Sequence, residues 1–494
     1  MINHTFVRVT TALLLTAMVT ACGRTAVSDE TVNLESAVTE SSTPIETVRS
    51  YPSEVADFGG YTFTFLNEED DFWTGTNHIL DYKELTGDGL SDAIYNRNRD
   101  VEDRMNIRFE VIKATMGSAN DERTLMNKSI AAMEDLYDIV YLPLQAGGKT
   151  SFDCQSTINL HTVKSLSLDK EWWNRSFIQS ATIGDNLLYT TIDYVNLMGY
   201  SFCNALYFNR GMFRDHGMEF PYKMAADGKW TYDAMFTLLE QVPSLGTQTD
   251  WKPKLSGDAS YGFASQHEEA TITLLQGCGV PLIIKDENHV PKINKNIERL
   301  LDAYEKLVNT LSLDGNCLLI NTADCQGIDF FLNNRALFYS GALGQASAGR
   351  MRDSVAEYGV LPIPKLDVTQ TDYCTPLSMY TFAMNIPLTA SDPERTGAIM
   401  DYLAWVSYYD VLPVLQTNMC YKGVSDPLDI EMQHMLLESE TVDLGQIYGW
   451  TTSFLTKICG EKKLLAGNNT FASDWAATTE KMEAEIEKQF SQKG

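Results

Sequence analysis

The stretch Tyr61-Thr-Phe-Thr-Phe-Leu66 alternates aromatic and threonine side chains, and this two-residue period predicts a β-strand. Residues 108–114 and 137–142 are also rich in β-branched and aromatic side chains and predict two further strands. Residues 91–105 and 122–133 predict helices that separate these three strands. The order strand–helix–strand–helix–strand is typical of a mostly parallel sheet that helices cover on both faces.

The same rhythm returns later in the chain. Residues 261–265 and 336–339 predict strands, and Ser391-Asp-Pro-Glu394 carries the cap and first-turn proline of a helix start. An amphipathic helix is predicted from apolar residues at helical spacing, namely Ile297, Leu300, Leu301, Tyr304, Leu307 and Val308.

Two segments predict long strands at a junction between these α/β blocks: residues 187–195 with 205–209, and residues 380–385. A chain that crosses between two blocks more than once predicts a two-lobed α/β protein with multiple hinge crossings. Ligands of open parallel sheets bind beyond the carboxyl ends of the strands, so we expect a ligand cleft between the lobes. The hinges are predicted near residues 189–193, 340–343 and 405–408.

The N-terminus carries a short apolar run, Val9 to Thr20, which is too short to span a bilayer. It ends in Val19-Thr20-Ala21-Cys22, which resembles a bacterial lipoprotein cleavage site. This resemblance implies that residues 1–21 are a signal peptide and that Cys22 is lipidated. Residues 22–50 are rich in Ser, Thr and Glu without an aromatic residue, which predicts a disordered linker above the membrane.

Composition and charge exclude several classes of function. The 494-residue chain is 44% hydrophobic and has a formal net charge of −28, which argues against nucleic acid as a partner. The nine cysteines include no C-x-x-C pair, and no His/Cys spacing typical of a metal site is present. Because a core of this size needs no disulfides, most cysteines other than Cys22 are expected to be free and buried.

Three catalytic motifs are incomplete or absent in the sequence. Gln145-Ala-Gly-Gly-Lys-Thr150 is similar to a phosphate loop, but Pro143 stands where its first glycine is required. His267-Glu-Glu lacks the second histidine of a zinc protease helix, and no G-x-S-x-G elbow is present. The sequence therefore predicts no cofactor and no catalytic residue, although a carboxylate pair for glycoside hydrolysis stays open.

Several local patterns follow one another along the chain: Asn204-Ala-Leu-Tyr-Phe-Asn-Arg-Gly-Met-Phe213, Gly228-Lys-Trp-Thr-Tyr-Asp233, residues 261–281, Asn334-Arg-Ala-Leu-Phe-Tyr-Ser-Gly341, Tyr358-Gly-Val-Leu-Pro-Ile-Pro-Lys365 and Asp392-Pro-Glu-Arg-Thr-Gly-Ala398. In this order they resemble the extracellular solute-binding proteins of family 1, the carbohydrate receptors of ABC importers. The layout is similar to that of maltose-binding protein.

The resemblance implies a type II periplasmic-binding-protein-like fold and a non-enzymatic function. It implies a monomer that captures a sugar or oligosaccharide outside the cytoplasm and delivers it to the transmembrane subunits of an ABC permease. Lipidated Cys22 would attach this receptor to the outer face of the cell membrane. The predicted first lobe comprises residues 51–190 and 342–405, and the predicted second lobe comprises residues 191–341 and 406–494.

Candidate ligand-binding residues follow the predicted strand ends or match aromatic positions of the family. Aromatic side chains cover the apolar faces of sugar rings, and Asp, Glu, Asn or Gln bind their hydroxyls. The candidates are Glu69, Asp70, Asp71, Trp73, Gln145, Asp193, Tyr194, Gln266, His267, Tyr339, Gly341 and Trp450.

Two alternative functions stay open. The first is a surface-anchored enzyme that degrades polysaccharides, and the second is a receptor of the same fold for a peptide or another polar solute.

Overall fold

The computed structural model describes residues 50–68, 84–115, 119, 121–144, 156–347, 349–352, 354–423 and 427–491. The chain divides into two units, Met1–Ser50 and Tyr51–Gly494, and the architecture given below is that of the second. The signal peptide, lipidated Cys22 and nearly all of the linker lie outside the described residues, so they stay predictions. Among the helices described, none is both long and apolar enough to cross a membrane.

Thirteen strands are present in the described part of the chain. In chain order they are β1 (Tyr61–Glu68), β2 (Ile107–Ala114), β3 (Ile139–Pro143), β4 (Asn204–Asn209), β5 (Tyr261–Ser265), β6 (Ile283–Lys285), β7 (Pro291–Ile293), β8 (Cys317–Leu319), β9 (Ala336–Ala342), β10 (Tyr358–Leu361), β11 (Thr375–Pro376), β12 (Phe382–Asn385) and β13 (Glu440–Thr441).

The α-helices are α1 (Gly89–Met105), α2 (Glu122–Ala132), α3 (Arg175–Ala181), α4 (Met198–Ser201), α5 (Arg210–Asp215), α6 (Tyr222–Ala226), α7 (Tyr232–Leu239), α8 (Glu269–Gln276), α9 (Glu298–Leu311), α10 (Gly327–Leu332), α11 (Gly349–Arg352), α12 (Pro393–Val406), α13 (Leu412–Gly423), α14 (Pro427–Glu438), α15 (Leu444–Ile447), α16 (Thr452–Cys459) and α17 (Phe471–Ser491). Short 3₁₀ segments are Leu160–Thr162 and Leu343–Ser347, and π-helical segments are Ser407–Val411 and Glu461–Leu465.

The first sheet has the strand order β12-β3-β1-β2, with β1 parallel to both β2 and β3 and with β12 antiparallel at the edge. Phe63 and Phe65 point into the large core of the protein. Leu66 instead joins a smaller cluster with Met126 of α2. Because successive side chains of a strand point to opposite faces, the alternation in β1 produces a sheet that is covered on both sides. The predicted parallel sheet is confirmed.

The second sheet has the order β10-β4-β9-β5-β8, with β5 parallel to β8 and β9 and with β4 antiparallel to β9 and β10. The predicted amphipathic helix is α9, whose stripe Leu300, Tyr304 and Leu307 is buried. The predicted helix start is also confirmed, because Asp392 accepts a hydrogen bond from the backbone N–H of Arg395 at 3.0 Å. The two sheets form the two lobes.

The junction differs from the sequence prediction in one segment. Residues 187–195 do not form a long strand, and Thr191 makes a single bridge to β12. The Asp193 carboxylate accepts hydrogen bonds from the backbone N–H groups of Val195 and Asn196, at 2.9 and 2.8 Å. These donors are therefore bound in a local turn and cannot join a ladder.

The other predicted junction strands are present as β4 and β12. The predicted return segment, residues 342–405, contributes β10 to the second sheet and β12 to the first. The exact lobe boundaries stay a prediction.

Candidate functional site

A cleft of about 350 Å³ lies where the carboxyl ends of β1 and β3 face those of β5 and β9. Its described lining is Glu68, Glu122, Pro143, Met198, Phe202, Asn204, Ser265, Gln266, His267, Glu269, Ala270, Asn321, Ser340, Gly341, Ala342, Gln345, Ser378, Tyr380 and Phe382. A volume of this size, in which apolar surface is combined with convergent carboxylate, amide and hydroxyl groups, is typical of a small-molecule site.

The first wall of the cleft consists of Glu68, Glu122, Pro143 and Phe382, which the first sheet and α2 position. Glu122 is the first residue of α2 and is only 4% exposed. Burial raises the pKa of its carboxyl group, although its own backbone N–H favours the charged form. Its Oε1 atom has no hydrogen-bond partner in the described structure.

The second wall contains a hydrogen-bonded group around Tyr339, which is fully buried at the base of the cleft. The Tyr339 hydroxyl lies 3.1 Å from Oε1 of Gln266 and 3.2 Å from Oε1 of Gln345, and its single hydrogen is shared between these two acceptors. A Cβ atom at Gly341 would lie 2.3 Å from Oε1 of Gln345, so a larger residue there would displace the Gln345 amide from its present position. Both glutamines are thereby oriented before any ligand binds.

Glu269, the first residue of α8, completes the second wall. Its Oε1 atom accepts hydrogen bonds from the Ser378 hydroxyl at 2.5 Å and from the Met379 backbone N–H at 3.1 Å. Burial raises the pKa of this carboxyl group, and these donors counteract the shift. Glu269 therefore fixes the chain that leads from the second lobe back to β12.

His267 lies at the rim of the second wall. Its Nε2 atom is 3.3 Å from the amide nitrogen of Asn321, and its ring centroid is 6.5 Å from that of Tyr380. Burial lowers the pKa of the His267 imidazole, so the ring is neutral at pH 7. The described lining has three carboxylates and contains neither Lys nor Arg.

The structure brings four of the predicted site residues together. Gln266, His267 and Gly341 line the cleft, and the buried Tyr339 hydroxyl is hydrogen-bonded to Gln266.

Asp193, Tyr194 and Trp450 are not among the described residues that line the cleft. Asp193 is 3% exposed and its carboxylate is used within the fold, where it also accepts from the Tyr141 hydroxyl at 2.8 Å. The Tyr194 ring packs against Tyr408 at a centroid distance of 5.4 Å.

Trp450 is 4% exposed and stacks on Tyr448 with a ring-centroid distance of 5.0 Å. A sugar ring needs an accessible aromatic face, and this face is already covered by protein.

The remaining predicted residues, Glu69, Asp70, Asp71, Trp73 and Gln145, lie outside the described residues and stay predictions.

Sequence reasoning missed Glu122, Glu269 and Gln345. The rule that ligands bind at strand ends predicted Gln266 and His267, which follow β5. Applied also to the first residue of the next helix, α8, the same rule would have included Glu269. Nothing in the local sequence distinguishes Gln345, because its position depends on the 3₁₀ segment after β9.

No protein-family model matches the sequence, and no curated protein sequence is significantly similar to it. Solved structures do share the fold. An ABC substrate-binding protein of Listeria monocytogenes in complex with cycloalternan superposes with a TM-score of 0.53 at 12% identity, covering 87% of this chain and 99% of that chain. The apo form of RafE from Streptococcus pneumoniae gives a TM-score of 0.52 at 15% identity, covering 88% and 100%.

A sugar transporter protein of Rhizobium etli in an open conformation gives a TM-score of 0.56 at 13% identity, covering 86% of this chain and 100% of that chain. At these identities the likeness establishes the fold. The chain therefore has the two-lobed α/β fold of ABC transporter solute-binding proteins, which confirms the fold that the sequence predicted.

Proposed function

We propose that this protein is a lipid-anchored extracytoplasmic receptor that captures a sugar or oligosaccharide and delivers it to an ABC permease. The observation that supports this most is the cleft between the strand ends of the two lobes. It combines apolar side chains, including Phe202, Tyr380 and Phe382, with oriented amides such as Gln266. Sugar rings need both, because each has apolar faces and a rim of hydroxyl groups.

The mechanism is binding without chemistry. A ligand in the cleft would contact the first wall and the second wall together, and these contacts exist only when the lobes are close. Closure would therefore be stabilised by the ligand, with hinge rotation in the few segments that join the lobes. The closed form would then be the form that the permease recognises.

The membrane anchor and the permease rest on the sequence. The junction before Cys22 and the polar segment after it favour a protein tethered to the outer face of the cell membrane. Cys22→Ala should release the protein into the aqueous phase or leave it attached by an uncleaved signal. Membrane fractionation and mass spectrometry measure this, and normal processing with no attached lipid would contradict the anchor.

The binding function can be tested with the full chain and a panel of neutral mono- and oligosaccharides. We expect a rise in melting temperature with at least one sugar, because a ligand at 100 times its Kd adds about 2.7 kcal/mol of stability. Gln266→Ala should weaken binding in calorimetry, whereas Gln241→Ala, an exposed glutamine of the same lobe, should not. Small-angle scattering should show closure with the bound sugar.

Three outcomes would contradict the proposal. Cleavage of a glycan by the purified chain would favour the enzyme. Binding of peptides but of no sugar would favour the receptor for another polar solute. Sugar binding with an unchanged scattering profile would exclude the closing mechanism.

A further inference from the structure

The carboxylates of the cleft differ in the hydrogen bonds that they accept from the protein. Glu269 receives hydrogen bonds from Ser378 and Met379, so its charge is compensated within the fold. Glu122 is more deeply buried than most glutamates, at 4% exposed, yet its Oε1 atom lacks a hydrogen-bond partner in the described structure. A buried acceptor without a donor is costly, so its retention at a cleft wall points to a donor that arrives with a ligand.

Glu122 is not needed to start its helix. Asp121 caps α2, because its carboxylate accepts a hydrogen bond from the backbone N–H of Thr124 at 2.7 Å. A first-turn carboxylate gains a little from the helix dipole, but an exposed side chain would gain it without the cost of burial. The structural roles open to Glu122 therefore do not explain why its side chain is buried at the cleft.

The surroundings of Glu122 specify the charge of the group that it can bind. The described lining contains the carboxylates of Glu68 and Glu269 as well, and no Lys or Arg. His267 is neutral because burial lowers the pKa of its ring. An acidic sugar would place one more negative charge in this cleft without a partner, whereas a hydroxyl or an ammonium group would supply the missing donor.

We infer that Glu122 is a ligand-binding residue of the first wall, that its Oε1 atom accepts a hydrogen bond from a hydroxyl or ammonium group of a saccharide, and that it excludes acidic sugars. This inference rests on the proposed function, since it assumes a saccharide ligand. The shared chemistry of the two ligand types is a hydrogen-bond donor, and the experiment separates them.

The test uses the full chain and three oligosaccharide groups of equal length: neutral, amine-bearing and uronic-acid-bearing. Calorimetry of the wild-type protein should detect binding in the first or second group and none in the third. Glu122→Ala should weaken the best ligand about tenfold or more, the loss expected for a hydrogen bond to a charged group. A larger loss for an amine-bearing ligand than for its neutral counterpart would identify ammonium as the donor.

Glu134→Ala is the matched control, because it removes the same charge from an exposed position before β3 and should leave affinity unchanged. A second readout needs no ligand. Glu122→Gln should leave the melting temperature of the unliganded protein unchanged or higher, since it removes a buried carboxylate whose Oε1 atom has no donor. A structural residue would give the opposite result.

The outcomes separate the two claims. If the wild-type chain binds a sugar and Glu122→Ala binds it equally well, or if oligouronides bind best, the inference is wrong while the proposed function stands. If no sugar binds the wild-type chain, the proposed function fails. If Glu122→Gln lowers the melting temperature of the unliganded protein, the inference fails whatever the ligand.

Discussion

On the second wall of the cleft, Tyr339 orients Gln266 and Gln345, and Glu269 is bonded to Ser378 and Met379. On the first wall, Glu122 is equally part of the lining but its Oε1 atom has no partner within the described ranges. The second wall is thus organised before a ligand binds, and the first wall is completed by the ligand.

The two walls represent two kinds of side chain in a binding cleft. Side chains that support one another contribute to folding as well as to affinity, so their loss should lower both. A buried polar side chain whose hydrogen-bond partner is a ligand group contributes to affinity alone. In the unliganded protein it lowers the free energy of unfolding. Substitutions on the two walls, and one behind them, should separate these contributions.

The largest effect is expected outside both walls, at Trp450. Because its ring is buried against Tyr448, Trp450→Ala should lower the free energy of unfolding by about 3–5 kcal/mol. Trp450→Phe should lower it less and leave the sugar affinity of the folded protein unchanged. Urea denaturation and calorimetry measure the two quantities. If Trp450→Ala has normal stability but no longer binds the sugar, Trp450 is a ligand-binding residue.

On the second wall, Glu269→Ala should lower the free energy of unfolding by about 2–3 kcal/mol and also weaken sugar binding. The reason is that Ser378 and Met379 lose a charged acceptor and the segment before β12 is released. Glu268→Ala, at the neighbouring position, is the control and should change stability little. Equal effects of the two substitutions would show that the bonds of Glu269 contribute nothing specific.

A smaller effect is expected from the single oxygen atom removed in Tyr339→Phe. The free energy of unfolding should fall by about 1 kcal/mol, and affinity should fall by about five- to tenfold because Gln266 and Gln345 lose their common donor. Tyr358→Phe is the matched control, since its buried hydroxyl donates to the Ala346 carbonyl at 3.2 Å. It should show a similar loss of stability with unchanged affinity, and a matching loss of affinity would refute the role of Tyr339.

The smallest effect concerns the pH dependence of the first wall. The pKa of the Glu122 carboxyl is raised in the folded state above its ordinary value of 4.5, so the folded protein binds this proton more tightly than the unfolded chain does. The stabilisation that comes from the protonated Glu122 carboxyl in the unliganded protein should be fully present below about pH 4.5. It should be lost as pH rises through the raised pKa, because the buried carboxyl then becomes charged.

One proton changes the free energy of unfolding by at most about 1.4 kcal/mol per pH unit, and Glu122→Gln should remove this part of the slope. Melting temperatures of both proteins at pH 5 and pH 8, without ligand, measure it. Identical slopes would mean that the pKa of the Glu122 carboxyl is ordinary and that its burial does not disfavour the charged form.

The sequence by itself determined the elements whose patterns are local. The alternation in Tyr61-Thr-Phe-Thr-Phe-Leu66, the stripe of α9 and the Asp392 cap each repeat over a few residues, and each corresponds to an element in the structure. The order of these elements gave the two-lobed fold, because strand–helix–strand units have few ways to cover a sheet. The strand-end rule also placed Gln266, His267 and Gly341 at the cleft.

Only the tertiary structure decided which polar and aromatic side chains reach the cleft. Trp450 and Asp193 have the residue types of a sugar site, but Trp450 is packed against Tyr448, and the Asp193 carboxylate accepts hydrogen bonds from Tyr141 and from the backbone that follows it. In the sequence, Glu122 is one more acidic residue at a helix start. Its burial, and the lack of a hydrogen-bond donor at its Oε1 atom in the described structure, depend on how α2 packs beside the end of β1. Local periodicity sets secondary structure through backbone geometry, whereas burial and hydrogen-bond satisfaction are set by neighbours that only the assembled fold brings together.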